Sequence, residues 1–283
     1  MVTRIDRLGL AAAIFAASFA FGTNAAPAAE DVTPWNGDSR SAVRLIAGSA
    51  PARGATQLRA GVQIRLLRGW HTYWRYPGDA GVPPQFIFDR SDNVKHIEVL
   101  WPAPERLVDE GGTSIGYSAG VIFPLRITPQ QAGRPVTLRL KLNYAICEKL
   151  CVPAEGRGEL TLAGGRASQD AALAAAEGRV PKKQGLDEKA DLSIRSVRLE
   201  QGSSKARAVV DVAGPADVDL FAEGPTPQWA LPVPVAVAGA PPGIRRFTFE
   251  LDGAPTGESY RGARITLTAV TPARAIEVST RLD

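Results

Sequence analysis

The sequence predicts an all-β protein: two antiparallel sandwich domains joined by a short helical linker. Three observations carry this reading. Leu58–Leu66 and Val136–Tyr144 alternate apolar and polar residues with period two, the pattern of strands with one buried face. Shorter apolar segments recur between Pro- and Gly-containing turns, as in a sandwich. With 28 Gly, 22 Pro and a single Met, the composition suits a loop-rich β protein and argues against a helical bundle.

The elements follow in order. Residues 1–28 read as a secretory signal, with Arg4 and Arg7 as a basic start and Leu8 to Phe21 as an apolar run too short to span a bilayer comfortably. Ala25 or Ala28 then offers a small-residue cleavage position. An uncleaved anchor is the alternative, disfavoured by the short run and its small-residue exit. The first domain is expected over about residues 31–165. Its weaker strands are Ala42–Ile46, Gln85–Phe88, His96–Leu100, Val121–Ile127 and Gly158–Leu162. Residues 166–186 form the linker: Ala167–Glu177 is Ala-rich and helical, and Gly178, Pro181, Lys182 and Lys183 follow. The second domain, 187–283, offers Leu192–Ile194, Val197–Leu199, Ala206–Val212, Val218–Phe221, Arg246–Leu251, Ala263–Val270 and Ile276–Leu282 as strands. It has no cysteine and no histidine, so a structural or docking role is expected of it.

After the leader no uninterrupted apolar run is long enough to cross a membrane; Trp229–Gly243 is broken by Pro232, Pro234, Pro241 and Pro242. The mature chain is therefore expected to be exported, with no membrane span. The formal charge is +4, and +3 once Arg4, Arg7 and Asp6 leave with the leader. The basic residues are scattered, so no nucleic-acid partner and no membrane patch is expected.

The chemistry centres on the only two cysteines, Cys147 and Cys151, where a strand runs out into Glu148-Lys149-Leu150. A disulfide closing so short a loop removes little chain entropy, roughly 2 kcal/mol against more than 4 for about a hundred residues. A bond meant to hold a large domain together would span more sequence; a close pair in an exported chain suits a bond that is made and broken. An inert turn clip is the bland alternative. Zinc or copper on the two thiolates with His71 and His96 is a metal reading, although the histidines lie far from the cysteines in sequence and match no zinc spacing; copper(I) held by Cys147 and Cys151 alone is the stronger metal alternative. No cofactor is expected: no Walker loop, Rossmann glycine pattern, serine elbow or HExxH occurs.

Two further segments attract attention. Gly69-Trp70-His71-Thr72-Tyr73-Trp74-Arg75-Tyr76-Pro77-Gly78-Asp79 is dense in aromatics. Period two separates Trp70, Thr72 and Trp74 from His71, Tyr73 and Arg75, so one face is expected in the core and the other exposed, to shield a disulfide or grip a partner. Asp109 and Glu110 open a glycine-rich stretch to Tyr117 that reads as an acidic loop. Carboxylates beside a thiol raise its pKa or take its proton; a solvated turn is the simpler alternative.

In order, Gly69–Asp79, Trp101-Pro102, Asp109-Glu110, Gly116-Tyr117, Phe123-Pro124-Leu125 and Tyr144-Ala-Ile-Cys-Glu-Lys-Leu-Cys-Val-Pro153 resemble the periplasmic N-terminal domain of the DsbD thiol:disulfide interchange family, particularly its ScsB-like branch. The resemblance covers roughly residues 40–165. It implies an immunoglobulin-like fold and a periplasmic redox pair, with Cys151 forming the mixed disulfide and Cys147 resolving it. Asp109 and Glu110 match the acidic pair near the family's site, and Tyr144 lies on the strand leading into it. Trp70, His71, Tyr73, Tyr117 and Tyr144 are expected to shield the pair or receive partners. Those partners would be periplasmic thioredoxin-like proteins, disulfide isomerases or cytochrome c maturation proteins, with electrons from a separate membrane donor. The three residues between the cysteines match the ScsB-like branch, whereas Ile115 and Gly116 stand where an aromatic cap is expected.

Overall fold

The computed structural model describes Met1 and residues 30–49, 56–78, 81–109, 112–162, 167–201, 205–251 and 253–283; the leader read in residues 1–28 lies otherwise outside them. The first sandwich contains β1 (Asn36–Gly37), β2 (Ser41–Ala47), β3 (Leu58–Leu66), β4 (His71–Gly78), β5 (Gln85–Ile87), β6 (Val94–Val99), β7 (Glu105–Asp109), β8 (Gly112–Tyr117), β9 (Val121–Pro129), β10 (Val136–Cys147) and β11 (Cys151–Leu162). One sheet has the order β1-β2-β3-β9-β6, the other β11-β10-β4-β8-β7 with β5 paired to β10. Every pairing within these two sheets is antiparallel.

The two clearest alternations form the strands that build this core. Ala60, Val62 and Ile64 of β3 face Leu138, Leu140 and Leu142 of β10 across the sandwich interior, with Phe123, Leu125 and Ile127 of β9 beside them. Strand β10 runs three residues past Tyr144 because β11 pairs with it in unbroken register from Val136↔Leu162 to Cys147↔Cys151. The start of β11 was illegible because Pro153, Gly156 and Gly158 are poor strand formers. Each has a positional reason. A Cβ on Gly156 would lie 2.5 Å from the Val43 side chain, so close sheet-to-sheet approach needs glycine there. Arg157 turns its N–H away from β10 to Asn36 Oδ1, at 2.8 Å. That direction recurs every second residue, so Pro153 also stands where no N–H is needed.

The acidic loop expected at Asp109 is instead a hairpin, β7 paired with β8 from Glu105↔Gly116 to Asp109↔Gly112. Gly112, where β8 begins, has φ +125°, a conformation glycine adopts without a side-chain clash.

Chain then passes to α1 (Asp170–Gly178) and β12 (Lys182–Lys183). The helix lies on the first sandwich: fully buried Leu173 seats its methyls where Cβ atoms on Gly48 and Gly61 would stand 3.0 and 3.1 Å away. Arg59 grips it from β3, bonding Asp170 at 2.8 Å and Glu177 at 2.6 Å.

The second sandwich comprises β13 (Ser193–Gln201), β14 (Ala206–Ala213), β15 (Asp219–Glu223), β16 (Val235–Val237), β17 (Ile244–Glu250), β18 (Arg264–Val270) and β19 (Ala275–Arg281). Its sheets have the orders β12-β19-β18-β15 and β13-β14-β17-β16. The two short strands expected at Leu192 and Val197 are one strand with a bulge between Ile194 and Ser196. Both halves are immunoglobulin-like β-sandwiches. The second has its own core around Trp229, Phe247 and Leu267, yet Phe221 and Val233 pack into the first core.

Candidate redox site

Cys147 and Cys151 end β10 and begin β11 as directly opposed partners, and they are bonded as a disulfide with Cα atoms 4.1 Å apart. By the alternation fixed at Arg157 they are a non-hydrogen-bonded pair, the kind that brings opposed side chains closest. The two cysteines differ in access. Cys147 is 5% exposed, whereas Cys151 is an exposed residue of an edge strand. Between them Glu148, Lys149 and Leu150 form an exposed turn in which Leu150 is 79% exposed.

On its other side Cys147 shares a rung with His71 of β4. Cys147, Ala145 and Tyr73 form a small apolar cluster separate from the sandwich core. Alanine at 145 leaves room for the Tyr73 ring, which lies across it and brings the hydroxyl to 3.0 Å from Cys151 Sγ. The His71 ring meets Tyr73 edge-on at 5.4 Å. Gly81 closes this face from outside: a Cβ there would lie 2.5 Å from the Tyr73 ring, and φ is +139°. Both faces of β4 are therefore covered. Trp74 fills the core, fully buried, and Tyr73 on the opposite face is only 2% exposed, so neither face of the strand is the exposed one that period two led to expect.

The structure divides the expected site residues. Cys147, Cys151, His71 and Tyr73 come together. Tyr144 and Tyr117 do not; they face the core on the other side of the sheet. The Tyr144 hydroxyl bonds Ser41 Oγ at 2.9 Å, and the Tyr117 hydroxyl donates to the Pro102 carbonyl at 2.9 Å. Burial raises the pKa of both, for Tyr144 against the opposing Ser41 hydrogen bond and for Tyr117 against Arg75 and Arg179. Trp70 is half-buried at the core margin with the Arg40 guanidinium 5.7 Å over its ring. The reason is parity: Tyr144 is three residues from Cys147, and an odd offset along a strand points to the opposite face. Asp109 contributes backbone at the hairpin end, opposite Gly112; Glu110 lies outside the described residues. The register puts Glu105, through Gly116, on the rung with Tyr73. His96 sits exposed on β6 in the opposite sheet, and among the described residues no cluster of three or more His, Cys, Asp or Glu is placed to hold a metal. Sequence reasoning missed Ala145, Gly81 and Leu150; small residues and a lone exposed leucine carry no pattern until the fold places them.

Residues 44–163 match the family model described as thiol:disulfide interchange protein DsbD, N-terminal. This segment is similar to the DsbD N-terminal family. The DsbD-type segment includes β3 to β11 and hence the whole disulfide hairpin. The solved N-terminal periplasmic domain of ScsB from Proteus mirabilis is similar over 89% of this chain and 98% of its own, with a TM-score of 0.66 and 20% identity. At that identity the likeness speaks for the fold, and it extends beyond the DsbD-type segment into the second sandwich. The CfaE adhesin of enterotoxigenic E. coli aligns at a TM-score of 0.13 and 10% identity, too low to carry an argument. No curated protein matches the chain. No helix among the described residues is long and apolar enough to cross a membrane.

Proposed function

We propose that the chain is a periplasmic thiol–disulfide exchange protein carrying electrons between a membrane-linked reductant and disulfide proteins. The observation that carries this reading is the unequal exposure of the two bonded cysteines, with Cys151 exposed on an edge strand and Cys147 buried on the strand beside it. In the dithiol form the Cys151 thiolate attacks a partner disulfide. The partner's S–S bond breaks, one partner sulfur leaves as thiolate, and a mixed disulfide forms on Cys151. Cys147 then attacks Cys151 Sγ, closes the intrachain bond and releases the second partner thiolate. Two electrons pass to the partner, and its two thiolates take up the protons that Cys147 and Cys151 gave up. A reductant's dithiol reverses both steps.

The exposed Leu150 beside Cys151 is an apolar contact for a partner's surface. Thioredoxin-like periplasmic proteins, including isomerases and cytochrome c maturation factors, are the proposed partners. Asp109 and Glu110, near the site in the family, are proposed to assist proton movement, and the leader over residues 1–28 to direct export. Cys147→Ala leaves Cys151 without a resolving thiol. Expressed with its leader, this variant is expected to accumulate mixed disulfides that reductant dissolves and that Cys151→Ala abolishes. A periplasmic extract with no trapped species would argue against exchange.

A further inference from the structure

We propose that the second sandwich is a positioning element of the redox site, acting through β4 with Arg75 as its anchor; this rests on the exchange function proposed above. The ladder of β4 explains why an anchor is needed. It pairs with β10 only at His71 and Thr72. It pairs with β8 at Thr72 and Tyr73, and then not again until Gly78↔Ser114. Four residues of β4 thus stand opposite one of β8, and the segment from Trp74 to Pro77 bows out of the sheet. Tyr73, whose hydroxyl reaches Cys151 Sγ, is the last ladder residue before this bow.

The second sandwich holds what the ladder leaves free. Arg75 bonds Glu223 at 2.7 Å and Glu277 at 2.5 Å, from β15 and β19, the two strands that flank β18 in one sheet of the second sandwich. Burial works against its charge, yet the two carboxylates outweigh that and raise its pKa further. The Tyr76 hydroxyl donates to the Leu231 carbonyl at 2.6 Å, and the Trp74 ring meets Phe221 at 6.1 Å. Three consecutive residues after Tyr73 therefore end on the second sandwich. Arg75 stands two residues past Tyr73 inside the bow, so its ion pairs hold the backbone path from which the Tyr73 side chain leaves. In the reduced protein the Tyr73 O–H stabilises the Cys151 thiolate as a hydrogen-bond donor, which lowers the thiol's pKa.

The test uses the full chain carrying Cys147→Ala, so that Cys151 is the only thiol, and follows its rate of alkylation by iodoacetamide against pH. Tyr73→Phe is expected to move the midpoint up by about half a pH unit or more, one hydrogen bond to the charged form being lost. Glu223→Gln with Glu277→Gln is expected to move it the same way, and to add nothing once Tyr73 is phenylalanine. The direction is diagnostic, since removing two carboxylates without moving Tyr73 would shift the midpoint down. An unchanged or lowered midpoint, or an equal shift with and without the Tyr73 hydroxyl, overturns the proposal. If the double variant does not fold, Tyr76→Phe, which deletes one hydrogen bond between the sandwiches and keeps the ring, is judged by the same criteria. Disulfide exchange with a thioredoxin-like protein is measured separately on the unaltered chain. Its failure overturns the exchange function and leaves the alkylation coupling to stand or fall by itself.

Discussion

At Gly81 one hydrogen atom decides whether Tyr73 reaches the disulfide. A methyl there would overlap the ring at 2.5 Å, on a backbone with φ +139° that side chains rarely adopt. Gly81→Ala is expected to displace Tyr73, destabilise the fold by roughly 1–3 kcal/mol, and raise the pH at which Cys151 alkylates. Thermal unfolding and the alkylation profile read the two effects separately, and a profile identical to wild type would contradict the role given to Gly81. The cysteines and Tyr73 were legible in the sequence because they are chemically distinctive and close to strand signals. Tyr117 and Tyr144 were as conspicuous, but the face on which a side chain lies depends on register, which no composition reveals.

Among the elements, the β10–β11 hairpin and α1 make opposite demands on their fastenings. Reducing the disulfide is expected to lower stability by only about 2 kcal/mol, because the loop it closes is short and twelve paired rungs hold the strands without it. Denaturant unfolding with and without reductant measures this, and a loss several times larger would mean that the bond is a structural staple. Leu173→Ala is expected to cost more, roughly 3 kcal/mol, since a fully buried side chain leaves a cavity over Gly48 and Gly61. A change below about 1 kcal/mol would show that the helix seat collapses without penalty. Period two located β3 from Leu58 to Leu66 without error. It missed the start of β11 and the β7–β8 hairpin, where glycine, proline and charge mask strands whose pairing is supplied by the adjoining hairpin arm.

For the whole molecule, the buried tyrosines set an alkaline limit. Tyr144 and Tyr117 have pKa values raised above the ordinary 10 by burial. The unfolded chain therefore ionises first, binds fewer protons than the native state above pH 10, and stability falls as pH rises. The stabilisation is fully present below pH 10 and is lost as pH rises through the raised folded-state values. Tyr144→Phe is expected to flatten this alkaline limb in pH-dependent unfolding; an unchanged slope would remove the tyrosine from the account. The sandwiches meet through charge as well as apolar packing. Besides Arg75, Arg106 bonds Asp219 at 2.6 Å and the Pro234 carbonyl at 2.9 Å. The scattered basic residues, from which no nucleic-acid partner was expected, thus include two cations, Arg75 and Arg106, that join the halves among the described residues.

The sequence by itself determined that strands dominate, that two sulfurs stand beside one turn, and that β10 delivers them, because alternation and spacing are local properties of the chain. Only the tertiary structure decided which cysteine is exposed, which aromatic touches it, and that β4 ties the disulfide to the second sandwich. Those outcomes follow from register and from the bow in one strand, and both are set by contacts between residues far apart in sequence.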